Sequence, residues 1–323
     1  MSDQAHITLA RGILGKTTTA LGFGCGALFG RSRLDASLRV LEAALDSGIT
    51  YFDVARMYGE GEAEAVVGQA LRGRRHQVVL TSKAGILPTR RSLAKRAADR
   101  AAVVLRKAPG LGSIIPPPRP AAPRFGAFAP SQLRASVETS LKALGTDYLD
   151  SLLLHECAAD DAADPEVRAF AEDLQRQGKI RAFGIATGLD ETLAILATGR
   201  GFGSVVQIAS SVWDEDVRKL PRRDDGVVVT HSCLGPRFRE VVGRLREDRA
   251  AAERWRALVG VDPLDAQAVA QAFLAHAIRA NPSGVVLFAS SNPARVRANL
   301  LAAEAALFND AQLDNLAIAV KSL

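Results

Sequence analysis

The chain has 323 residues, 48% of them apolar, so it can bury a large core and is not disordered by composition. Its formal charge of +6 is concentrated: between Arg90 and Arg124 nine basic residues stand against one acid, Asp99, and the rest is close to neutral. The basicity therefore belongs to one segment and not to a nucleic-acid-binding fold. No run of about 18 apolar residues marks a membrane span, and the N-terminus lacks the basic-then-apolar pattern of a signal peptide. Three cysteines, Cys25, Cys157 and Cys233, argue for a reducing compartment and against a disulfide framework. The expected location is cytoplasmic, with no nucleic-acid partner and no integral membrane association.

In chain order, residues 6–24 read as two short extended pieces running into a strand at 19–23. Gly22, Gly24 and Ala27 satisfy a relaxed G-x-G-x-x-G/A, but no helix opens within the motif, so the match to a dinucleotide fingerprint is weak. These glycines, Gly24 among them, either let the backbone approach a ligand or turn the chain. Residues 35–47 form an amphipathic helix with Leu38, Leu41 and Leu45 on one face, stopped by Gly48. A strand at 49–52 leads to Asp53 and, five residues on, Tyr58. A helix is then expected to open with Glu60, Glu62 and Glu64 in its first turns.

Further strands are expected at 77–82, ending at Lys83, at 148–154, ending at His155, and at 180–185, 204–208, 227–230 and 284–288. Helices fall at 63–71, 131–144, 166–177, 189–197, 264–280 and 293–304, and the connection at 212–220 is the least helical. Short apolar strands alternating with helices mean a parallel sheet, and eight such units point to a (β/α)8 barrel, one domain over residues 1–323. The exception to regularity is the proline-rich, basic stretch 84–130, with a possible helix at 92–107, expected as a lid or mobile loop over the mouth.

Asp53, Tyr58, Lys83 and His155 stand just past the ends of consecutive strands, where a barrel gathers residues distant in sequence. Together they suit carbonyl reduction. A phenol with a pKa of ~10 is a poor acid at neutral pH, and an ammonium held beside it by a carboxylate lowers that pKa and stabilises the phenolate. Tyr58 is then the acid, Lys83 its electrostatic partner, Asp53 the anchor of Lys83, and His155 a hydrogen-bond donor that orients the substrate oxygen. Taken singly, each has a structural explanation: an ion pair, a rim aromatic, a packed histidine.

The segments Phe52-Asp53-Val54-Ala55-Arg56-Met57-Tyr58-Gly59, Thr81-Ser82-Lys83 and Leu152 to Glu156 (LLLHE) resemble the motifs of the aldo-keto reductases, and the resemblance covers nearly the whole chain. It implies the same barrel, the same four roles and a nicotinamide cofactor extended across the mouth. Gln207 resembles the family's carboxamide-binding glutamine. His231-Ser232-Cys233-Leu234-Gly235 resembles its aromatic-Ser-x-Leu-Gly turn, with an imidazole in place of the phenol that stacks on nicotinamide. Ala186-Thr187 replaces the usual Ser-Asn pair. Ser290, Arg295 and Asn299 resemble the segment that holds the adenosine 2'-phosphate and adenine, with Ala289 where a lysine is usual. One guanidinium still pairs a phosphate in bidentate fashion.

The resemblance thus favours NADP(H) over NAD(H) and implies an NADPH-dependent reductase of aldehydes or ketones, reversible on the alcohols, with a small-molecule carbonyl or alcohol as partner. The departures at Ala186, Thr187, His231 and Ala289 motivate the alternative of a nucleotide-binding or redox-sensing barrel with weak catalysis. The cysteines fall near strand ends, where they either line the pocket or pack as small apolar groups. No metal site is expected, since no Cys or His pairs stand at ligand spacing. Substrate and oligomeric state are not legible.

Overall fold

The structure is a computed structural model and describes residues 6–8, 14–27, 34–89, 93–106, 114, 122–199, 203–222, 226–235, 237–304 and 307–323. His6–Thr8 (β1) and Thr17–Thr19 (β2) form a two-stranded antiparallel ribbon. Eight further strands close a barrel: Leu21–Gly24 (β3), Tyr51–Asp53 (β4), Val79–Ala84 (β5), Leu149–His155 (β6), Ile180–Ala186 (β7), Val205–Ala209 (β8), Val227–His231 (β9) and Val285–Phe288 (β10). They pair in chain order, every pair is parallel, and β10 returns to pair with β3. The expected eight-stranded barrel is present, with strand limits one or two residues from those read off the sequence. These strands read as continuous apolar runs because both faces are covered: β5 is buried throughout, and β6 in all but its last residue.

The helices are Leu34–Asp46 (α1), Ala63–Ala70 (α2), Leu93–Leu105 (α3), Pro130–Leu144 (α4), Ala159–Ala163 (α5), Pro165–Arg176 (α6), Leu189–Ala197 (α7), Phe238–Glu247 (α8), Arg249–Val259 (α9), Ala266–Ala280 (α10), Pro293–Glu304 (α11) and Asp310–Lys321 (α12). Two expectations need correction. Glu60 does not open a helix: Tyr58–Gly61 is a 3-10 turn in which Gly59 and Glu60 both have positive φ, and α2 begins only at Ala63. The glycines at 59 and 61 make that left-handed turn accessible. Also, α8, α9 and α12 were not foreseen. Arginines and glutamates punctuate α8 and α9, but Val241, Leu245, Trp255 and Val259 build a second core with Val269 and Phe273 of α10 and Leu316 of α12. After β8 the chain makes only a 3-10 turn, Asp216–Lys219, where the helical signal was weakest.

Inside the barrel, Tyr51, Val79, Leu153, Val205, Val227, Val285 and Leu287 form an apolar column with Leu14 among them. The Thr81 hydroxyl donates to the Tyr51 oxygen at 2.8 Å and lies 2.6 Å from the Ser151 hydroxyl, satisfying the polar atoms buried there. Of the basic stretch, Arg90, Arg91, Lys107 and Arg119, and the side chains of Lys95, Arg96 and Arg100, lie outside the described residues. Leu87 and Arg124 exchange two backbone hydrogen bonds of 2.9 Å, bringing the two ends of that connection together.

The strand ends opposite the mouth are tied by one carboxylate. Asp150, fully buried, takes Arg75 at 2.8 Å, Lys16 at 3.0 Å and Arg181 at 3.2 Å, and accepts the Leu80 N–H at 2.9 Å. The Arg75 and Arg181 guanidiniums lie 4.1 and 4.4 Å from the Tyr148 ring centroid. Removing the acid leaves three cations facing one another, so Asp150→Asn is expected to lower stability by roughly 3–5 kcal/mol, the range for breaking a buried pair from one side. Urea unfolding measures this directly. A midpoint equal to that of the parent protein would show that water satisfies the three cations.

Candidate active site

Strand register brings the predicted residues to one mouth. Gly24 pairs with Asp53 across β3 and β4, and His155, Ala186 and Gln207 stand side by side on β6, β7 and β8. Lys83 lies one residue before the end of β5. Its ammonium donates to Asp53 Oδ1 at 2.5 Å, to the Val54 carbonyl at 3.4 Å and to the Tyr58 hydroxyl at 3.4 Å. The Gln207 amide donates to the other Asp53 oxygen at 3.1 Å, so both carboxylate oxygens are engaged. Tyr58 and His155 meet edge to face, with centroids 6.2 Å apart. All four, with Gly24, Gln207, His231, Ser232, Leu234 and Asn299, line a cavity of about 440 Å³.

Burial alone would strip the proton from Lys83, but the adjoining Asp53 carboxylate, with Tyr58, reverses this and raises its pKa, so the ammonium stays charged. For Tyr58 the order is different. Burial raises the phenol pKa, Lys83 pulls it down, and Asp53 pushes it up, leaving a net rise. The expected lowering by Lys83 is therefore present but outweighed, and the phenol is fully protonated at neutral pH. Burial drives His155 down to about 3, with Lys83 and His231 adding to the effect, so its imidazole is neutral. His231 is likewise lowered, first by burial.

The turn after β9 is built on unusual backbone. Ser232 and Gly235 both have positive φ, and a Cβ on Gly235 would lie 2.6 Å from the Trp213 ring. Only glycine lets the turn rest on that indole, which in turn packs on Phe273 at 5.4 Å. His231 Nδ1 lies 2.9 Å from the Ser232 hydroxyl. The Gln207 Oε1 atom is buried without a hydrogen-bond partner while its amide nitrogen is used on Asp53, so it offers an acceptor to a ligand N–H donor in the cavity.

Other predicted positions behave differently. Thr187 does not offer its hydroxyl to the cavity; it shares a hydrogen bond of 2.7 Å with Thr192 of α7. Ser290 and Arg295 are not among the cavity-lining residues. The Ser290 hydroxyl is engaged by the backbone of Asn292, and Arg295 is exposed on the first turn of α11. Asn299 reaches the cavity and accepts from Gln267 at 2.5 Å. All three cysteines are buried. Burial pushes Cys157 and Cys233 up to about 12 and raises Cys25 as well, which leaves them as unreactive packing groups, although Cys233 lines the cavity. Among the described residues no cluster of His, Cys, Asp or Glu is placed to hold a metal ion, and no helix is long and apolar enough to cross a membrane.

Sequence reasoning missed Glu156, and it missed Ala270 and Leu274, which line the cavity from α10. The last two stand four residues apart on one helix face, a spacing visible in the sequence but indistinguishable there from core packing.

The profile of the aldo/keto reductase family matches residues 20–321. The chain belongs to the aldo/keto reductase family. Over 231 residues it is 31% identical to the NADH-specific methylglyoxal reductase of Escherichia coli, covering 69% of this chain and 63% of that enzyme. The chain spans about half the length of several curated relatives it matches. Among solved structures, an aldo-keto reductase from Bacillus halodurans in its holo form superposes with a TM-score of 0.71 at 22% identity, over 98% of this chain and 96% of that one. An aldo/keto reductase from Klebsiella pneumoniae in complex with NADP and acetate gives 0.65 at 22% identity, over 97% and 94%. These two likenesses concern the family's barrel.

The neutral state of His155 carries a pH dependence. In the unfolded chain a histidine protonates near ~6.5, whereas here protonation must wait until about 3. Below ~6.5 the unfolded state binds the extra proton, so stability falls with falling pH, by roughly 1–2 kcal/mol at pH 5 from this residue. A stability–pH profile of His155→Gln should be flatter by that amount over pH 5–7. Nuclear magnetic resonance of the imidazole should show the neutral form at pH 5, and an imidazolium signal there would overturn the assignment.

Proposed function

We propose that the chain is an NADP(H)-dependent reductase that converts an aldehyde or ketone to the alcohol and runs reversibly. The observation that carries this reading is the Asp53–Lys83–Tyr58 relay, which ends in a protonated phenol facing the cavity. Tyr58 donates its proton to the substrate oxygen as the carbonyl becomes an alkoxide. Lys83, kept charged by Asp53, stabilises the phenolate left behind, which regains a proton from solvent. His155, neutral, donates one N–H to the substrate oxygen and fixes its direction. When bound, NADPH supplies the hydride for the carbonyl carbon.

The residues present fit such a cofactor. Gln207 Oε1, buried and unpartnered, suits a carboxamide N–H, and Gln207 with Asp53 forms one connected acceptor group at that point. His231 offers a ring face at the stacking position, Gly24 an open approach to backbone, and the Ser232 to Leu234 turn backbone groups for pyrophosphate. Ser290, Arg295 and Asn299 are assigned to the 2'-phosphate and adenine end, with Arg295 favouring NADPH over NADH. Thr187, turned onto Thr192, leaves the carboxamide with fewer partners, which favours the second reading, a nucleotide-binding barrel with little turnover. The complete relay counts against it, since nucleotide retention needs no proton donor.

Titration of cofactor-free protein with NADPH and NADH, followed by fluorescence of its two tryptophans, tests the cofactor assignment. NADPH should bind more tightly, and Arg295→Ala should remove most of the difference; equal affinities in the parent protein would remove the 2'-phosphate role. For Tyr58→Phe, NADPH affinity should hold while kcat on a reactive aldehyde drops at least ~10²-fold. Turnover near that of the parent protein would rule out Tyr58 as the acid.

A further inference from the structure

Seven ionisable side chains line the cavity: Asp53, Tyr58, Lys83, His155, Glu156, His231 and Cys233, whose thiol burial keeps protonated. Asp53 and Lys83 cancel as an ion pair, Tyr58 is protonated, and both imidazoles are neutral at pH 7. Glu156 is left as the one uncompensated charge among the described lining residues. Its carboxylate has no hydrogen-bond or ion-pair partner among those residues.

Its backbone is as informative as its charge. Glu156 has φ of 53°, a left-handed conformation that a side chain of this size rarely adopts outside glycine, asparagine or aspartate. Strain of this kind persists only where the surroundings enforce it. Here the Glu156 N–H donates to the Ala186 carbonyl at 2.9 Å, directly beside the pairing of His155 with Ala186. The residue following the substrate-orienting histidine is thereby turned out of line with the strand, and its side chain lines the same cavity. Burial raises its pKa from the usual carboxylate value, as for an acid partly withdrawn from water beside an apolar wall.

We propose that Glu156 sets substrate charge preference, selecting carbonyl compounds that carry a cationic group and disfavouring those that carry a carboxylate or phosphate. The inference rests on the carbonyl-reductase reading above. An ammonium held ~5 Å from this carboxylate, with screening between that of bulk water and a protein surface, gains roughly 5- to 100-fold in affinity, and an anion loses as much. The exposure of the side chain places the effect toward the lower end.

The test uses the full chain with NADPH and three para-substituted benzaldehydes: 4-(trimethylammonio)benzaldehyde, 4-tert-butylbenzaldehyde, the neutral isostere, and 4-carboxybenzaldehyde. For each charged compound the kcat/KM is divided by that of the neutral one, and the ratio is compared between the parent protein and Glu156→Gln, so that intrinsic reactivity cancels. The cation-to-neutral ratio should fall at least ~5-fold in the variant and the anion-to-neutral ratio should rise by a similar factor. Raising the salt concentration should erode the parent preference and leave the variant unchanged. Glu156→Asn, which tolerates the left-handed backbone, should behave as Glu156→Gln and guards against misfolding of the first variant. Ratios unchanged in both variants overturn the role of Glu156 while leaving the reductase reading intact. If the parent protein reduces none of the three aldehydes, the reductase reading falls and the inference with it.

Discussion

The mouth of this barrel depends on one buried ion pair. Taking an ammonium and a carboxylate out of water costs several kcal/mol for each ion, and their attraction offsets that only when the remaining donors and acceptors are also satisfied. Lys83 and Asp53 meet this condition by recruiting neighbours: Gln207 closes the second carboxylate oxygen, while the Val54 carbonyl and the Tyr58 hydroxyl take the remaining ammonium protons. Gln207 comes from β8 while Val54 and Tyr58 belong to the loop after β4, so satisfying the pair aligns β4, β5, β8 and that loop. The arrangement that solves a desolvation problem is also the one that presents a phenol to the cavity. Stability and the proposed chemistry at this end of the barrel share the same atoms.

At the opposite end a different ionic cluster performs a purely structural task. Asp150 joins Lys16, Arg75 and Arg181 below an apolar column that contains no charge. The column separates two polar regions, and Tyr51 within it senses both: burial raises its phenol pKa first, and the charges of Asp53 and Asp150 add to the rise.

Much of this architecture was legible in the sequence because parallel strands covered on both faces leave an unmistakable apolar run, and because the polar residue that ends such a run is conspicuous. That is why Asp53, Lys83 and His155 stood out, and why the eight strands were placed to within one or two residues. What failed to show depends on the third dimension. The 3-10 turn at Tyr58–Gly61 is a backbone conformation that acidic residues conceal. The net rise in the Tyr58 pKa follows from burial, which overrides a neighbouring charge that the sequence does reveal. Glu156 is one glutamate among many until its φ and its lack of a partner are known. Helices α8 and α9 were missed because their apolar stripes are narrow and find their partners only on α10 and α12.

The pairing of β10 with β3 has a consequence for synthesis. The register joins Leu21, Gly22 and Phe23 to Val286, Leu287 and Phe288, so the sheet has two open edges until β10 has left the ribosome, more than 260 residues after β3. Until then β3 and β9 expose unpaired N–H and C=O groups on otherwise apolar strands, the usual template for association with another chain. Contacts of such long sequence separation also form slowly, since the loop entropy must be lost before they contribute. A nascent chain of this design has reason to engage a chaperone late in translation, and truncations short of β10 are expected to aggregate instead of forming a smaller barrel.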